Sequence, residues 1–255
     1  MNHPEEAACP PGAGGTLRLP PRTQGPRAPG LLALLPTYLA VRYPGVLTRD
    51  HAETYAAGVA AAREEWTPNF GGTQFTLGRA WYTHLEEDRE DEYFADAAAS
   101  DARVERWAPG LQQRMMAILR RLMSARVVLR EGWCGPGVHV FQAGSPVARD
   151  GGDVHFDVEG LTDAQLSRRA RALTLVLTLQ PAGGLQVWDQ MYAGEAVALE
   201  PPAEVASALL EYEPGELVVI DSYRLHQIMP FQGSADRITA TVHLVEEGDV
   251  WEAWF

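Results

Sequence analysis

Two histidines and one aspartate are the residues of this chain whose types and spacing could do chemistry. His155 and Asp157 are separated by one residue in the sequence DVHFD, and His226 follows an apolar run over Leu217–Ile220 that predicts a strand. In an extended segment, side chains two residues apart project to the same face, so His155 and Asp157 could point into one interior. Two imidazoles and one carboxylate are a donor set for a divalent transition metal.

This donor set suits non-haem iron(II). Two neutral imidazoles and one carboxylate leave the site with a net positive charge and three open coordination positions. A bidentate cosubstrate and O₂ require such open positions. A His-x-Asp sequence alone is a weak motif, and His226 alone would more often be a core or turn histidine. The residues that follow His226 strengthen the interpretation.

Arg237 and Thr239 lie eleven and thirteen residues after the second histidine, on a predicted strand that includes Ile238–Val245. The two positions share one face of that strand. A guanidinium binds a carboxylate bidentately, and a nearby hydroxyl adds a hydrogen bond. The pair therefore predicts an anchor for the far carboxylate of a dicarboxylate whose other end chelates the metal. The alternative for Arg237 is an exposed strand-end arginine paired with Asp236 or Glu216.

The elements that must position these residues change near residue 130, from predicted helices to predicted strands. Residues 1–30 are rich in Pro and Gly and predict a disordered or loosely attached arm. Residues 31–130 look mainly helical. The clearest apolar stripe lies between Leu111 and Arg126, and this stripe predicts that the helix packs into the core against a sheet. Beyond Val127, short runs rich in Val, Leu, Ile and Thr alternate with turn signals. The predicted strands are Val138–Gln142, Val154–Asp157, Leu173–Gln180, Leu185–Trp188, Leu217–Ile220 and Ile238–Val245, interrupted by one short helix near Ala203–Leu210.

Many short strands joined by tight turns favour an antiparallel sandwich or barrel over alternating βαβ units. The pattern therefore predicts a β-barrel-like C-terminal half buttressed by helices from the N-terminal half. A chain of 255 residues is long enough to bury a sizeable core, so it needs no disulfide or structural metal to hold its fold.

The composition limits the classes of function. The 34 acidic and 21 basic residues give a formal net charge of −13, which disfavours a nucleic-acid partner. The chain contains no lysine, which excludes Schiff-base chemistry, and its two cysteines predict neither a disulfide framework nor a cysteine-rich zinc site. No apolar run approaches membrane-spanning length and the first residues do not form a signal peptide, so we expect a cytoplasmic protein without a membrane partner. The sequence does not indicate an oligomeric state.

Three segments resemble the Fe(II)/2-oxoglutarate-dependent oxygenase superfamily over roughly residues 135–245. They are GGDVHFDVEG (151–160), LTLVLTLQPAGGLQVW (173–188) and GELVVIDSYRLHQIMPFQGSADRITATVHL (215–244). The resemblance implies an α+β fold in one domain over residues 31–255. In this fold a double-stranded β-helix, or jelly-roll (cupin-like) core, over 131–255 is buttressed by N-terminal helices over 31–130. It implies metal ligands at His155, Asp157 and His226 and a cosubstrate anchor at Arg237 and Thr239. Gly183-Gly184 matches the family's Gly-Gly turn before a strand.

The resemblance also implies an activity. With Fe(II), 2-oxoglutarate and O₂, such an enzyme oxidises a small molecule and releases succinate and CO₂. The sequence FTLGRAWYTHLEE (75–87) is similar to the branch that contains standalone halogenases and hydroxylases of free amino acids. Those halogenases lack the carboxylate ligand, since chloride takes its place, so Asp157 favours hydroxylation of an unactivated C–H. The expected substrate is a free amino acid or a natural-product precursor; desaturation and cyclisation remain alternatives within the same family.

Four further residues are candidates for substrate contacts. Arg79 could bind a substrate carboxylate; the alternative is a surface arginine near the acidic residues 86–87. His139 and Trp188 lie on predicted strands that could face the cavity, although His139 could equally be a core histidine. Trp254 could close over the site as a lid; the alternative is ordinary packing of the chain end.

Two other classes of function compete with the oxygenase. One is a different cupin-type metalloprotein, such as a cofactor-free dioxygenase or a sugar isomerase. It would have no reason to place an arginine and a threonine eleven and thirteen residues after the last ligand. The other is a non-catalytic binding module on the same fold, which an intact set of three ligands disfavours.

Overall fold

The architecture is built on two β-sheets. The computed structural model describes residues 15–19, 30–194, 200 and 203–255. Its strands are β1 (Thr16–Arg18), β2 (Ala40–Tyr43), β3 (Thr67–Asn69), β4 (Gln74–Leu77), β5 (Arg126–Leu129), β6 (Gly137–Phe141), β7 (Ala172–Gln180), β8 (Gly184–Met191), β9 (Ser207–Glu211), β10 (Leu217–Asp221), β11 (Arg224–Ile228), β12 (Arg237–Glu247) and β13 (Val250–Trp254).

Among these strands, ten form a large sheet in the order β1-β2-β10-β7-β12-β6-β4-β3, with β13 pairing to β12 and β5 pairing to β13. Three form a small sheet in the order β11-β8-β9. The pairs are antiparallel except for β1 with β2 and β13 with β5. Two facing, mostly antiparallel sheets make the jelly-roll core. The expected α+β jelly-roll class is therefore confirmed.

The helices lie mainly in the N-terminal half. They are α1 (Leu31–Leu34), α2 (Arg49–Ala61), α3 (Trp81–Glu86), α4 (Glu90–Ala95), α5 (Ala97–Trp107), α6 (Leu111–Met123), α7 (Pro146–Asp150) and α8 (Asp163–Ser167). The apolar stripe of α6 is buried in the main core together with side chains of β7, β10 and β12, as its periodicity predicts. No helix among the described residues is long and apolar enough to cross a membrane.

Strand alternation gives the large sheet two different faces. On β12, Ile238, Ala240, Val242 and Leu244 pack into the core shared with the helices. The alternate side chains of β12 line a cavity on the other face, between the sheets; they are Arg237, Thr239, Thr241 and His243. This period of two places polar residues around one interior space and leaves the helix side apolar.

The prediction of a helix near Ala203–Leu210 is wrong. Ser207–Glu211 forms β9, which pairs antiparallel with β8. Leu210 is buried between the sheets and Leu209 is 54% exposed, so the segment follows the period of a strand. Antiparallel pairing with β8 overrides the helix-favouring composition.

Two other expectations need correction. Residues 31–130 contain β2 to β5 as well as helices, so this half contributes strands to the large sheet. Within the predicted loose arm, Thr16–Arg18 forms β1 and pairs with β2 at the sheet edge, while residues 1–14 and 20–29 lie outside the described residues. The assignment of residues 31–255 to one domain stays a prediction.

Glu216, directly before β10, forms a buried ion pair with Arg42 of β2. Its side chain is fully buried, and Arg42 donates to both of its oxygens at 2.9 and 2.6 Å. We expect Glu216→Gln to lower the free energy of unfolding by about 2–3 kcal/mol, because it leaves a largely buried guanidinium without its counter-charge. Chemical denaturation measures this. The matched control Glu213→Gln removes an exposed partner of Arg18 and should cost less than about 1 kcal/mol; equal losses would contradict the account.

Candidate metal centre

An extended segment beside β11 brings the two histidines together. His155 and His226 exchange backbone hydrogen bonds, N to O, at 3.0 Å in each direction. The amide of Asp157 donates to the carbonyl of Ser222 at 2.9 Å. The predicted strand Val154–Asp157 is thus a single antiparallel bridge rather than a strand, but its extended backbone still turns His155 and Asp157 to the same side.

Two glycines allow this segment to approach β11. The amide of Gly152 donates to the carbonyl of Ile228 at 2.9 Å. Gly151 has φ of 87°, and a Cβ there would lie 2.9 Å from the same carbonyl oxygen. A larger residue at position 151 would therefore be strained and would push the ligand segment away.

The three candidate ligands converge on one point. One donor atom from each of His155, Asp157 and His226 lies within 4.8 Å of the other two. The Nε2 of His226 is 3.2 Å from Asp157 Oδ2, and the Nε2 of His155 is 3.7 Å from Asp157 Oδ1. These separations suit three ligands on one face of a single ion.

Backbone carbonyls set the orientation of both imidazoles. The Nδ1 of His155 lies 2.7 Å from the carbonyl oxygen of Asp153, and the Nδ1 of His226 lies 2.9 Å from that of Arg224. A carbonyl only accepts, so each Nδ1 carries the proton. The lone pair of each imidazole is therefore on Nε2, the atom that faces Asp157. The donor set and its tautomers fit a divalent transition metal.

Thr174 holds the aspartate from β7. Its hydroxyl lies 2.5 Å from Asp157 Oδ2 and donates to it, and the same hydroxyl is 3.0 Å from Ser222 Oγ and 3.1 Å from His243 Nδ1. Thr174 is almost fully buried. This contact fixes the carboxylate so that Oδ1 and Oδ2 face the two imidazoles.

Electrostatics keep Asp157 and His155 in the forms that bind metal and favour the protonated form of His226, which must lose that proton to bind a metal. Burial alone would raise the pKa of Asp157, but His226, His243 and His155 hold that pKa well below its usual range. Burial, with a contribution from His226, lowers the pKa of His155 to about 4. Burial lowers the pKa of His226, but the negative charge of Asp157 outweighs it and the pKa is raised overall. Asp157 is thus ionised and His155 is neutral at pH 7.

The candidate ligands open onto a cavity of about 450 Å³ between the two sheets. Its described walls combine apolar side chains with polar groups. They include Phe70, Gln74, Tyr82, Glu86, His139, Asp150, Asp153, Glu159, Tyr212, Arg237, Thr239 and His243. A cavity of this size accommodates a small cosubstrate together with a small substrate.

Arg237 lies in this cavity, and its guanidinium has no counter-ion among the described residues. The residue is 2% exposed. Its Nη1 donates to the carbonyl of Gly184 at 2.9 Å and its Nη2 donates to the hydroxyl of Tyr212 at 3.1 Å, while its Nε has no partner among the described residues. The described residues include no carboxylate that forms an ion pair with it, so the alternative pairing with Asp236 or Glu216 is wrong. A buried, unpaired guanidinium is costly unless an anion binds it.

Of the four predicted substrate residues, one lines the cavity and the other three have different surroundings. His139 is buried and lines the cavity. Arg79 does not line the cavity. Its Nε donates to Asp96 Oδ2 at 2.6 Å, so Arg79 is a structural arginine, but its partner is Asp96 and not the acidic residues 86–87. Trp188 takes the face of β8 opposite to Leu185, which lines the cavity. Trp254 is 2% exposed and fixed in β13, where it packs under Arg130, so packing of the chain end describes it better than a lid.

Sequence reasoning missed three residues of the site. Tyr212 directly follows β9, so predicting its position required recognising that strand, and the sequence predicted a helix there. Thr174 lies on a strand that was predicted, on the face that lines the cavity, so alternation from Val176 could have found it. Glu159 lies two residues after Asp157, in a loop where no periodicity applies, and burial with the charges of Asp157 and Glu86 raises its pKa to about 8.

Comparisons with known proteins identify the fold. No protein-family model and no curated protein matches the chain. Among solved structures, it is similar to the non-heme alpha ketoglutarate dependent epimerase SnoN and carbocyclase SnoK from nogalamycin biosynthesis. Both are 14% identical and each alignment covers 82% of this chain and 79% of the other, with TM-scores of 0.51 and 0.50. An N-substituted L-amino acid dioxygenase from Burkholderia ambifaria AMMD has a TM-score of 0.45 at 15% identity, over 82% of this chain and 91% of its own. At such identities the likeness concerns the fold alone, and the chain has the jelly-roll fold of SnoN and SnoK.

Proposed function

We propose that the protein is an oxygenase that depends on Fe(II) and 2-oxoglutarate and acts on a small organic molecule. The observation that carries the proposal is the buried guanidinium of Arg237 in the same cavity as the three candidate metal ligands. A metal-chelating dicarboxylate explains both features at once. A cupin-type metalloenzyme without such a cosubstrate explains the ligands but leaves the charge of Arg237 without a counter-ion.

His155, Asp157 and His226 would hold the metal through two Nε2 atoms and one carboxylate. Iron bound there supplies the chemistry by which O₂ decarboxylates 2-oxoglutarate to succinate and CO₂ and oxidises a C–H bond of the substrate. The dependence of SnoN and SnoK on a non-heme centre and alpha ketoglutarate supports this class through the shared fold. The chain's own residues need only bind, orient and exclude water.

Arg237 would bind the far carboxylate of 2-oxoglutarate. Its free Nε and its fixed Nη groups present donors in the planar arrangement that matches a carboxylate. Thr239, on the same face of β12, offers a hydroxyl to the same group. Tyr212 accepts from Arg237, which leaves the tyrosine proton free to donate to the anion.

Hydroxylation is the form of oxidation that we propose, since Asp157 keeps the carboxylate ligand whose place a halide would need. The test incubates the purified protein with Fe(II), 2-oxoglutarate, O₂ and a panel of small metabolites, and follows succinate together with the mass of the product. A gain of one oxygen atom supports hydroxylation, and loss of two hydrogens indicates desaturation or cyclisation. Absence of succinate with every compound, in a protein that binds iron, would overturn the proposal.

Thr174 offers a test of the metal site that does not need a substrate. We expect Thr174→Val to weaken the binding of Fe(II) or Co(II) about tenfold, because the hydrogen bond that orients Asp157 is lost. Calorimetric titration measures this. Thr178→Val is the matched control: Thr178 is on the same strand and fully buried, and its hydroxyl has no partner in the part of the chain that the structure describes, so metal affinity should not change. Equal affinities for both variants would contradict the role of Thr174.

A further inference from the structure

Three cross-strand neighbours form a row across the large sheet, and the row begins beside the candidate metal centre. Thr174 of β7 lies directly opposite His243 of β12, and His243 lies directly opposite Trp254 of β13. Residues directly opposite each other on antiparallel strands bring their side chains together on one face of the sheet. Because Thr174 holds Asp157, the register of these strands places His243 one contact away from a candidate metal ligand.

The Thr174 hydroxyl has one proton, and Asp157 accepts it. The hydroxyl donates to Oδ2 at 2.5 Å, and an ionised carboxylate can only accept. The hydroxyl oxygen can itself accept twice, and it lies 3.0 Å from Ser222 Oγ and 3.1 Å from His243 Nδ1. Both of these groups must therefore donate to Thr174. Nδ1 of His243 carries a proton, since two lone pairs would otherwise face each other.

Burial makes this arrangement of donors effective. Thr174 and Ser222 are both almost fully buried, so their hydroxyl groups are largely shielded from water. In such surroundings a hydrogen bond is stronger than in water, and consecutive hydrogen bonds polarise one another. With both acceptor positions of the Thr174 oxygen occupied, its proton has one direction left, toward Asp157.

Trp254 and Ser222 fix the two donors of this network. The rings of Trp254 and His243 lie 5.9 Å apart, centroid to centroid, with 31° between their planes. Trp254 is itself buried and lies against the guanidinium of Arg130 at 4.1 Å, so the imidazole packs on a fixed wall. The carbonyl of Ser222 accepts from the amide of Asp157 at 2.9 Å. Ser222 thus contacts both the backbone of this aspartate and the hydroxyl that binds its side chain.

We propose that His243 is a positioning residue of the metal centre, which acts through Thr174 to orient the carboxylate of Asp157. His243 donates its Nδ1 proton to the threonine hydroxyl and so keeps the threonine proton on Asp157 Oδ2. Without this donor the hydroxyl can rotate and donate elsewhere, and the carboxylate loses the contact that holds it toward the two imidazoles. This inference deepens the proposed function and rests on it for the assignment of Asp157 as a metal ligand.

The test measures Co(II) affinity by calorimetric titration in the absence of 2-oxoglutarate. His243→Phe keeps a ring against Trp254 and removes the donor. It should weaken Co(II) binding about fivefold, somewhat less than the roughly tenfold loss typical of a group that contacts a metal ligand directly. His243→Asn places an amide donor at the position of Nδ1 and should restore most of the affinity. His139→Phe makes the same change at another imidazole of the cavity, whose Nδ1 has no partner among the described residues, and should leave Co(II) affinity unchanged.

A double variant shows whether His243 acts through Thr174. Thr174→Val combined with His243→Phe should bind Co(II) as weakly as Thr174→Val alone, because the residue that transmits the effect is then absent. A separate measurement uses NMR of the unmodified, Zn(II)-loaded protein labelled with ¹⁵N-histidine. The His243 signals, identified by their loss in His243→Phe or His243→Asn, should show a proton on Nδ1. The position of this proton is measured in the unmodified protein, so the test holds even if one variant fails to fold.

The inference is overturned if folded His243→Phe binds Co(II) as tightly as the unmodified protein, if His139→Phe loses as much affinity, or if His243→Asn restores none of it. Additive losses in the double variant, or an Nδ1 without a proton in the NMR spectrum, would also overturn it. An unmodified protein that binds no Co(II) refutes the metal centre of the proposed function. A protein that binds Co(II) equally well with and without the His243 donor refutes only the role of His243.

Discussion

Asp157→Asn is expected to weaken metal binding at least about 100-fold and to abolish succinate formation, while the protein stays folded. Loss of a group that only orients a ligand typically costs 10- to 100-fold in metal affinity, so loss of the one anionic ligand must cost more. The amide keeps the shape of the side chain, can still accept from Thr174, and retains the backbone hydrogen bond to Ser222. Calorimetric titration with Co(II) or anaerobic Fe(II) measures the affinity, and circular dichroism checks the fold.

The matched control is Asp163→Asn, which makes the same chemical change at an exposed position in the first turn of α8. Its metal affinity should equal that of the unmodified protein. If Asp157→Asn also bound metal with unchanged affinity, the carboxylate would not be a ligand and the three-residue centre would be refuted.

The second large effect is expected at Arg237. Truncating one partner of a buried, hydrogen-bonded charge pair costs about 2–5 kcal/mol, so Arg237→Gln should weaken 2-oxoglutarate binding roughly 30-fold or more. The effect should appear as a higher 2-oxoglutarate requirement for turnover. It should also appear in thermal denaturation, where 2-oxoglutarate with Zn(II) raises the Tm of the unmodified protein but not that of the variant.

Without 2-oxoglutarate, Arg237→Gln should be at least as stable as the unmodified protein, because it removes a buried charge that has no counter-ion among the described residues. This combination separates an anion site from a structural arginine, whose loss would lower the Tm under both conditions. Arg114→Gln, at an exposed position on α6, is the control for the charge change. An unchanged 2-oxoglutarate affinity in Arg237→Gln would show that the anchor lies elsewhere.

The candidate metal ligands and the proposed anchor could be located from sequence because local geometry determines which of them share a side. His155 and Asp157 share a side in any extended backbone, even though the segment forms only one bridge rather than a strand. Arg237 and Thr239 share a face because β12 pairs in regular register with β6 there, and both residues line the cavity. Local geometry does not show that His226 lies near His155 and Asp157 in space, and that prediction required the family resemblance.

The rest depended on packing between distant segments, which periodicity does not encode. Arg79 was a candidate anchor from a local resemblance, but its guanidinium pairs with Asp96, which is seventeen residues later in the chain. Tyr212 reaches Arg237 only because β9 pairs with β8, in a segment whose composition favours a helix. Glu159 and Glu86 line one cavity although they lie 73 positions apart in the sequence.

The position of Arg79 changes the expected substrate contacts. The sequence predicts that Arg79 holds a substrate carboxylate, but Arg79 does not line the cavity.

The central claim is that one ion held by His155, Asp157 and His226 is chelated by a dicarboxylate anchored at Arg237. The most direct measurement is an anaerobic titration of the Fe(II)-loaded protein with 2-oxoglutarate, followed by visible absorption. The account predicts a metal-to-cosubstrate charge-transfer band that saturates with 2-oxoglutarate, is absent in Asp157→Asn, and requires far more 2-oxoglutarate in Arg237→Gln. Iron-loaded protein that shows no such band at saturating 2-oxoglutarate would contradict it.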